Sequence, residues 1–170
     1  MSADDVFLSE TDTTLDDVGL IGESEAAQRF GGEQVGNDQS TPDWVDVVLE
    51  DDLVVDGELV ATESTPVQVK MCAWRVRDQR SRRQGRWMIH RDELETLIDK
   101  RGLLALGVYD ARATETVVLD VFFPGAIASL GLTWCDNGHG REAARLRWGR
   151  VFSSEHVDAT RRAILASRED

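Results

Sequence analysis

Residues Leu103 to Tyr109 form an unbroken apolar run, Leu-Leu-Ala-Leu-Gly-Val-Tyr. A strand with no polar face must be covered on both sides. The run therefore predicts a central sheet flanked by helices. The chain has 170 residues, which suits one domain and a sizeable core without disulfide or metal staples.

The patterns around this strand give an order of α, three β, α, β, β, α, β, α. Leu15 to Phe30 has roughly helical apolar spacing, with a firm helix over 22–30 ended by Gly31-Gly32. Residues 31–43 read as a loop. Trp44 to Val55 is a strand broken by Glu50-Asp51-Asp52, and Asp56-Gly57 signals a hairpin. Strands over 58–62 and 67–73 complete an antiparallel meander. Trp87 to Ile89 is a short strand and His90 to Arg101 a helix stopped by Gly102. After the apolar run come a strand over 117–123 stopped by Pro124, a short helix over 126–132, and a loop over 135–140. An alternating strand over 144–152 and a closing helix over 155–167, capped by Ser153 or Ser154, end the chain. Residues 1–15 are predicted to be an acidic flexible tail and 16–170 a single domain. Its core covers about 20–123, followed by a β-α-β-α extension over 124–170.

Charge divides the chain. The formal net charge is −13, with 19 Asp, 13 Glu, 17 Arg and only two Lys. Such an acidic, Asp-rich and Lys-poor composition predicts a halophilic protein of a high-salt cytoplasm, where hydrated carboxylates keep the surface soluble; the alternative is an ordinary acidic protein of a GC-rich genome, whose codons favour Arg over Lys. Residues 1–66 carry a net −17, and residues 67–170 a net +4. Overall acidity argues against a nucleic-acid partner, but the second half reverses that. Its densest basic run holds Arg75, Arg77, Arg80, Arg82, Arg83 and Arg86 between Trp74 and Trp87. Arginine grips phosphate bidentately and tryptophan stacks on bases, so this run is the candidate nucleic-acid contact. Arg145 and Arg147 are candidates to extend it. No stretch is long and apolar enough to predict a membrane span, and the acidic start MSADDVFLSE does not resemble a signal peptide. Cys72 and Cys135 make no disulfide framework, and Cys135 with His139 and His156 is poor evidence for zinc.

Chemistry concentrates at Lys70. In a chain that uses arginine almost everywhere, a lysine ends the run Pro66-Val67-Gln68-Val69-Lys70. Gln68 and Lys70 share one face of a strand, and Val67 and Val69 share the other. Asp46 lies inside Val45-Asp46-Val47-Val48-Leu49, where burial is costly unless the carboxylate is paired or binds metal. Neighbouring strands would set it beside Gln68 and Lys70, and Glu25 on the first helix offers another carboxylate.

An acid at the start of a strand, a hairpin, and a strand ending in x-Val-Lys resembles the PD-(D/E)xK nuclease superfamily. The order of elements is most similar to its archaeal Holliday-junction-resolvase-like and restriction-endonuclease-like members. The resemblance covers Gly22-Glu23-Ser24-Glu25-Ala26-Ala27, Val45 to Val48, Pro66 to Lys70 and Leu106 to Asp110. It implies an α/β (α+β) restriction-endonuclease-like core with a mixed four- to five-stranded sheet. It also implies a metal-dependent endonuclease on DNA, acting on branched or repair intermediates, and a homodimer in resolvase-like members. Asp46, Gln68, the Val69 carbonyl and Glu25 would hold Mg²⁺ or Mn²⁺, and Lys70 would orient water or neutralise the transition state. The literal Pro-Asp of the signature is Pro42-Asp43, but Asp46 is better embedded in a strand. Gln68 stands where the family usually has an acid. That departure favours a catalytically weak nuclease-fold DNA-binding module as the alternative, and a small acidic protein-interaction domain is the third reading.

Overall fold

The computed structural model describes residues 15–35, 44–78, 81–110, 115–136, 138 and 140–169. Its central feature is a mixed five-stranded sheet in the order β1-β2-β5-β9-β10. These strands are β1 (Gly32–Gln34), β2 (Val47–Leu49), β5 (Pro66–Ala73), β9 (Leu103–Asp110) and β10 (Glu115–Phe122). The apolar run is β9, and all eight of its residues are buried. It pairs in parallel with β5, from Val67↔Leu103 to Ala73↔Tyr109, and antiparallel with β10.

The sheet divides two apolar layers. Val67, Leu103 and Ala105 pack with Ala26 and Phe30 of helix α1 (Leu15–Phe30). Cys72, Leu104, Leu106 and Val108 pack with Leu94 and Leu97 of α2 (Arg91–Asp99), Trp87 of β8 (Arg86–His90) and Val157 of α4 (Ser154–Glu169). Strand alternation in β5 thus sends Val67, Val69 and Met71 to the α1 layer and Gln68, Lys70 and Cys72 to the α2 layer. A smaller sheet joins β11 (Cys135–Asp136), β12 (Glu142–Arg147) and β8. The short helix α3 (Pro124–Ala128) starts at the proline that stops β10.

Several elements differ from the sequence reading. Helix α1 extends back to Leu15, because Gly22 is a contact point and not a break. A Cβ at Gly22 would lie 2.5 Å from Met71 Cγ, so the missing side chain lets α1 lie close against β5. The meander is not continuous. The hairpin of β3 (Leu53–Val55) and β4 (Glu58–Ala61) forms its own two-stranded sheet, and β2 pairs directly with β5. The segment 32–34 forms edge strand β1 within the expected loop, because β2 offers it a free edge. The arginine-rich segment becomes a two-stranded ribbon of β6 (Arg75–Asp78) and β7 (Ser81–Gln84). Beyond Arg147 the chain turns into a 3₁₀ segment, Trp148–Arg150, in place of a longer strand. No helix among the described residues is long and apolar enough to cross a membrane.

A buried ion pair holds the end of the sheet. Arg161 Nε donates to Asp110 Oδ2 at 2.5 Å, and both side chains are almost fully covered. The guanidinium lies 3.7 Å from the centroid of Trp74, whose Nε1 donates to Asp158 Oδ1 at 2.8 Å. Removing one member of a buried pair leaves the other uncompensated, at about 3 kcal/mol. Arg161→Ala is therefore expected to lower Tm by about 10 °C. A melting curve shifted by less than about 2 °C would contradict this account of the junction.

Candidate active site

The site forms where β2 leaves β5. Regular pairing is Val47↔Val67 and Val48↔Pro66, and the Asp46 N–H still donates to the Val67 carbonyl at 3.0 Å. Beyond this point no strand partner for the Val69 N–H on that side is found among the described residues. The Asp46 carboxylate takes that place, accepting from Val69 N at Oδ2 over 2.7 Å. The end of one short strand therefore fixes the carboxylate next to the Gln68-Val69-Lys70 segment.

The helix carboxylate at this point is Glu23 and not Glu25. Close packing of Gly22 on Met71 brings Glu23 to the same opening, where its carboxyl shares a hydrogen bond with Asp46 and accepts another from Gln34. Glu25 is turned away and pairs with Arg29 one helical turn later, at 2.9 Å. Arg29 Nη1 in turn donates to the Leu119 carbonyl of β10 at 2.6 Å, which ties the Glu25–Arg29 pair to the β10 edge of the sheet, at the opposite end of the strand order from β1 and β2.

Two acids pressed together in a partly dry site resist ionisation. Burial raises the Glu23 pKa against the pull of its hydrogen bonds to Asp46 and Gln34. Burial pushes Asp46 from 3.8 up to about 7; the Val69 N–H and Lys70 oppose this, and the Glu23 charge adds to it. A divalent cation between the two carboxyls would offset the burial and the mutual repulsion that hold them back from ionising.

Lys70 and Gln68 turn to the other layer and meet Glu93 of α2, which the sequence reading did not single out. Glu93 Oε2 accepts from Gln68 Nε2 at 3.0 Å and from Lys70 Nζ at 3.3 Å. Arg141 approaches the other oxygen, Oε1, at 3.4 Å and pairs with neighbouring Asp92 at 2.8 Å. Burial alone would raise the Glu93 pKa, but the Lys70 charge and the Gln68 bond hold it below the usual carboxylate range. The site carries an ionised carboxylate beside position 68, supplied by a helix 25 residues along the chain.

The donor set suits a hard cation with few protein ligands. Among the described residues no group of three or more His, Cys, Asp or Glu gathers around one point. Mg²⁺ commonly takes one or two carboxylates and leaves its other positions to water and phosphate. Asp46 and Glu23 provide that pair. With Gln68 Nε2 committed to Glu93, the amide oxygen is the Gln68 atom that suits a cation.

Pro42-Asp43, Arg80 and His139 lie outside the described residues, as does the Arg77 side chain. Arg82 and Arg83 are exposed on β7, and Arg86 begins β8 opposite Arg147. Cys135 is exposed on β11, and Cys72 is buried.

A family model described as PD-(D/E)XK nuclease superfamily domain matches residues 9–153. The chain belongs to the PD-(D/E)XK nuclease superfamily. Its mixed sheet with flanking helices is consistent with that fold. Membership suggests a phosphodiesterase acting on nucleic acid, in a superfamily that typically uses divalent metal. No curated protein and no solved structure matches the chain significantly.

Proposed function

We propose that this PD-(D/E)XK domain is a metal-dependent endonuclease that hydrolyses DNA phosphodiester bonds. The observation carrying this reading is the Glu23–Asp46 carboxyl pair held at the β2–β5 fork beside Lys70. Asp46, Glu23, the Val69 carbonyl and the Gln68 amide oxygen would hold Mg²⁺ or Mn²⁺, which when bound supplies Lewis acidity and a water of lowered pKa. Lys70 provides a compact positive charge for the scissile phosphate or the attacking water. Glu93 positions Lys70, whose long flexible stem would otherwise sample many rotamers. Gln68 shares the same Glu93 oxygen and so ties β5 to α2.

This arrangement answers the missing acid at position 68. The carboxylate that fixes the lysine comes from α2, and β5 supplies only the amide. Glu93→Gln is expected to slow single-turnover cleavage about 100-fold through misplacement of Lys70. An unchanged or faster rate would show that Glu93 does not serve the lysine.

The substrate panel follows from the reading. Linear duplex, four-way-junction and single-stranded DNA are incubated with Mg²⁺, Mn²⁺ or EDTA in concentrated KCl, the medium that the acidic composition favours. The junction tests the resolvase-like resemblance, and the sedimentation behaviour of the chain with and without it tests for a homodimer. Metal-dependent cleavage supports the endonuclease. Salt-sensitive binding without cleavage points to the DNA-binding module that Gln68 favours. No binding to any nucleic acid rejects both.

A further inference from the structure

The fold leaves a second surface open, away from the carboxyl–lysine site. Of the seven large apolar side chains exposed among the described residues, Leu59, Ile98 and Phe123 line one groove. Its volume is about 480 Å³, typical of clefts that cover most of a bound ligand. One wall is β4, and the other is the end of α2 with the turn from β10 into α3. Asp46, Lys70 and Glu93 are not among the described residues that line it.

The groove runs along a strand edge. Side chains of a strand alternate between its faces, yet Leu59, Val60 and Ala61 line the groove in succession. That pattern arises when a strand meets a cavity with its edge. Strand β4 pairs with β3 on one side, and no strand takes its other edge among the described residues. The hairpin also holds apolar surface in water, since Val54 and Leu59 are cross-strand partners and both are more than half exposed. An open apolar edge of this kind is a template for a further strand. The charge around it limits which strand fits. Residues 50–63 hold six acids and no base, and all six acids are exposed. Arg101 is the one cation among the described lining residues. A second copy would set acids against acids, and the chain's own residues 1–14, with four acids and no base, carry the wrong sign.

We propose that this groove binds an extended segment of another protein as a third strand on β4, a segment in which apolar residues alternate with lysine or arginine. Main-chain hydrogen bonds to the β4 edge supply affinity, and alternate side chains supply specificity. The apolar side chains of the segment cover Leu59, Ile98 and Phe123, and its cations face the acids of the hairpin. The four residues of β4 span about 13 Å, which sets the length of the paired stretch. The docking is independent of the nuclease reading, because the groove shares no residue with Asp46, Lys70 or Glu93.

The test uses the full chain and three fluorescein-labelled peptides, read by fluorescence anisotropy up to about 1 mM. One peptide alternates valine with lysine, one alternates valine with glutamate, and one is the lysine peptide with proline in place of its central valines. The lysine peptide should bind about tenfold tighter than each of the others, because glutamate reverses the charge match and proline removes main-chain donors. Leu59→Ser with Phe123→Ser should weaken that binding about tenfold, and so should Glu58→Lys with Glu63→Lys. All four side chains are exposed, so the melting curves should stay in place; if the serine pair melts early, the lysine pair carries the comparison. Equal binding of the lysine and proline peptides would mean charge attraction without strand addition and overturns the proposal. No binding up to about 1 mM, or binding unchanged in both variants, overturns it as well. A free wild type that sediments as a dimer, and that Leu59→Ser dissociates, would assign the groove to a second copy and overturn it too.

Discussion

Lys70→Met is expected to reduce metal-dependent DNA cleavage about 1000-fold while leaving the fold in place. The lysine is one of two in the chain and reaches Glu93 at 3.3 Å from a strand whose next neighbour on that face, Cys72, is buried. Methionine keeps an unbranched stem and loses the ammonium, both its charge and its bond to Glu93. The substitution leaves the Glu23–Asp46 pair in place, so bound Mn²⁺, followed by electron paramagnetic resonance, should be retained. Loss of cleavage together with loss of Mn²⁺ would mean that Lys70 shapes the metal site and does not act on phosphate. Retained cleavage would remove it from the chemistry.

Asp46→Asn should raise the stability of the metal-free protein at pH 8 and abolish cleavage. The direction follows from the raised Asp46 pKa. Below about pH 4 the carboxyl is protonated in both the folded and the unfolded chain. Between that point and about 7 the folded protein retains a proton that the unfolded chain releases. Stability therefore falls as pH rises through this window, and above it the full cost of a buried charge beside Glu23 is present. Asparagine removes that charge, and its oxygen can still accept from the Val69 N–H. The expected gain at pH 8 is about 2 kcal/mol, or about 5 °C in Tm, shrinking to nothing near pH 4. Magnesium should raise the wild-type Tm at pH 8 but not that of the variant. A variant that melts lower than wild type at pH 8 would show that the carboxyl pair is not strained.

The parts of this site that could be read from sequence are those governed by local period. The apolar run of β9 had to be interior, and the two-residue period of β5 placed Gln68 and Lys70 on one face. Asp46 was legible because an acid among strand residues needs a partner, and it finds one in the Val69 N–H.

What was not legible depended on rotation and long-range contact. Glu23 and Glu25 lie about 200° apart on a helical wheel, so choosing between them requires knowing which side of α1 meets β5. Gly22 is the signal that could have decided it, since a glycine inside a helix often marks close approach. Glu93 looks like an ordinary acid in the first turn of a helix, and nothing local ties it to Gln68 and Lys70. The ribbon lacked an apolar pattern, because its pairing rests on anchors supplied by Trp148 and Ser154 far along the chain.

The account is tested most directly by single-turnover cleavage of duplex DNA across a Mg²⁺ titration, with wild type, Asp46→Asn and Lys70→Met measured side by side. It predicts saturable Mg²⁺-dependent cleavage in the wild type and about a 1000-fold loss in each variant, with metal affinity lost only in Asp46→Asn. Equal cleavage by all three proteins, or cleavage by the wild type that persists in EDTA, would contradict it.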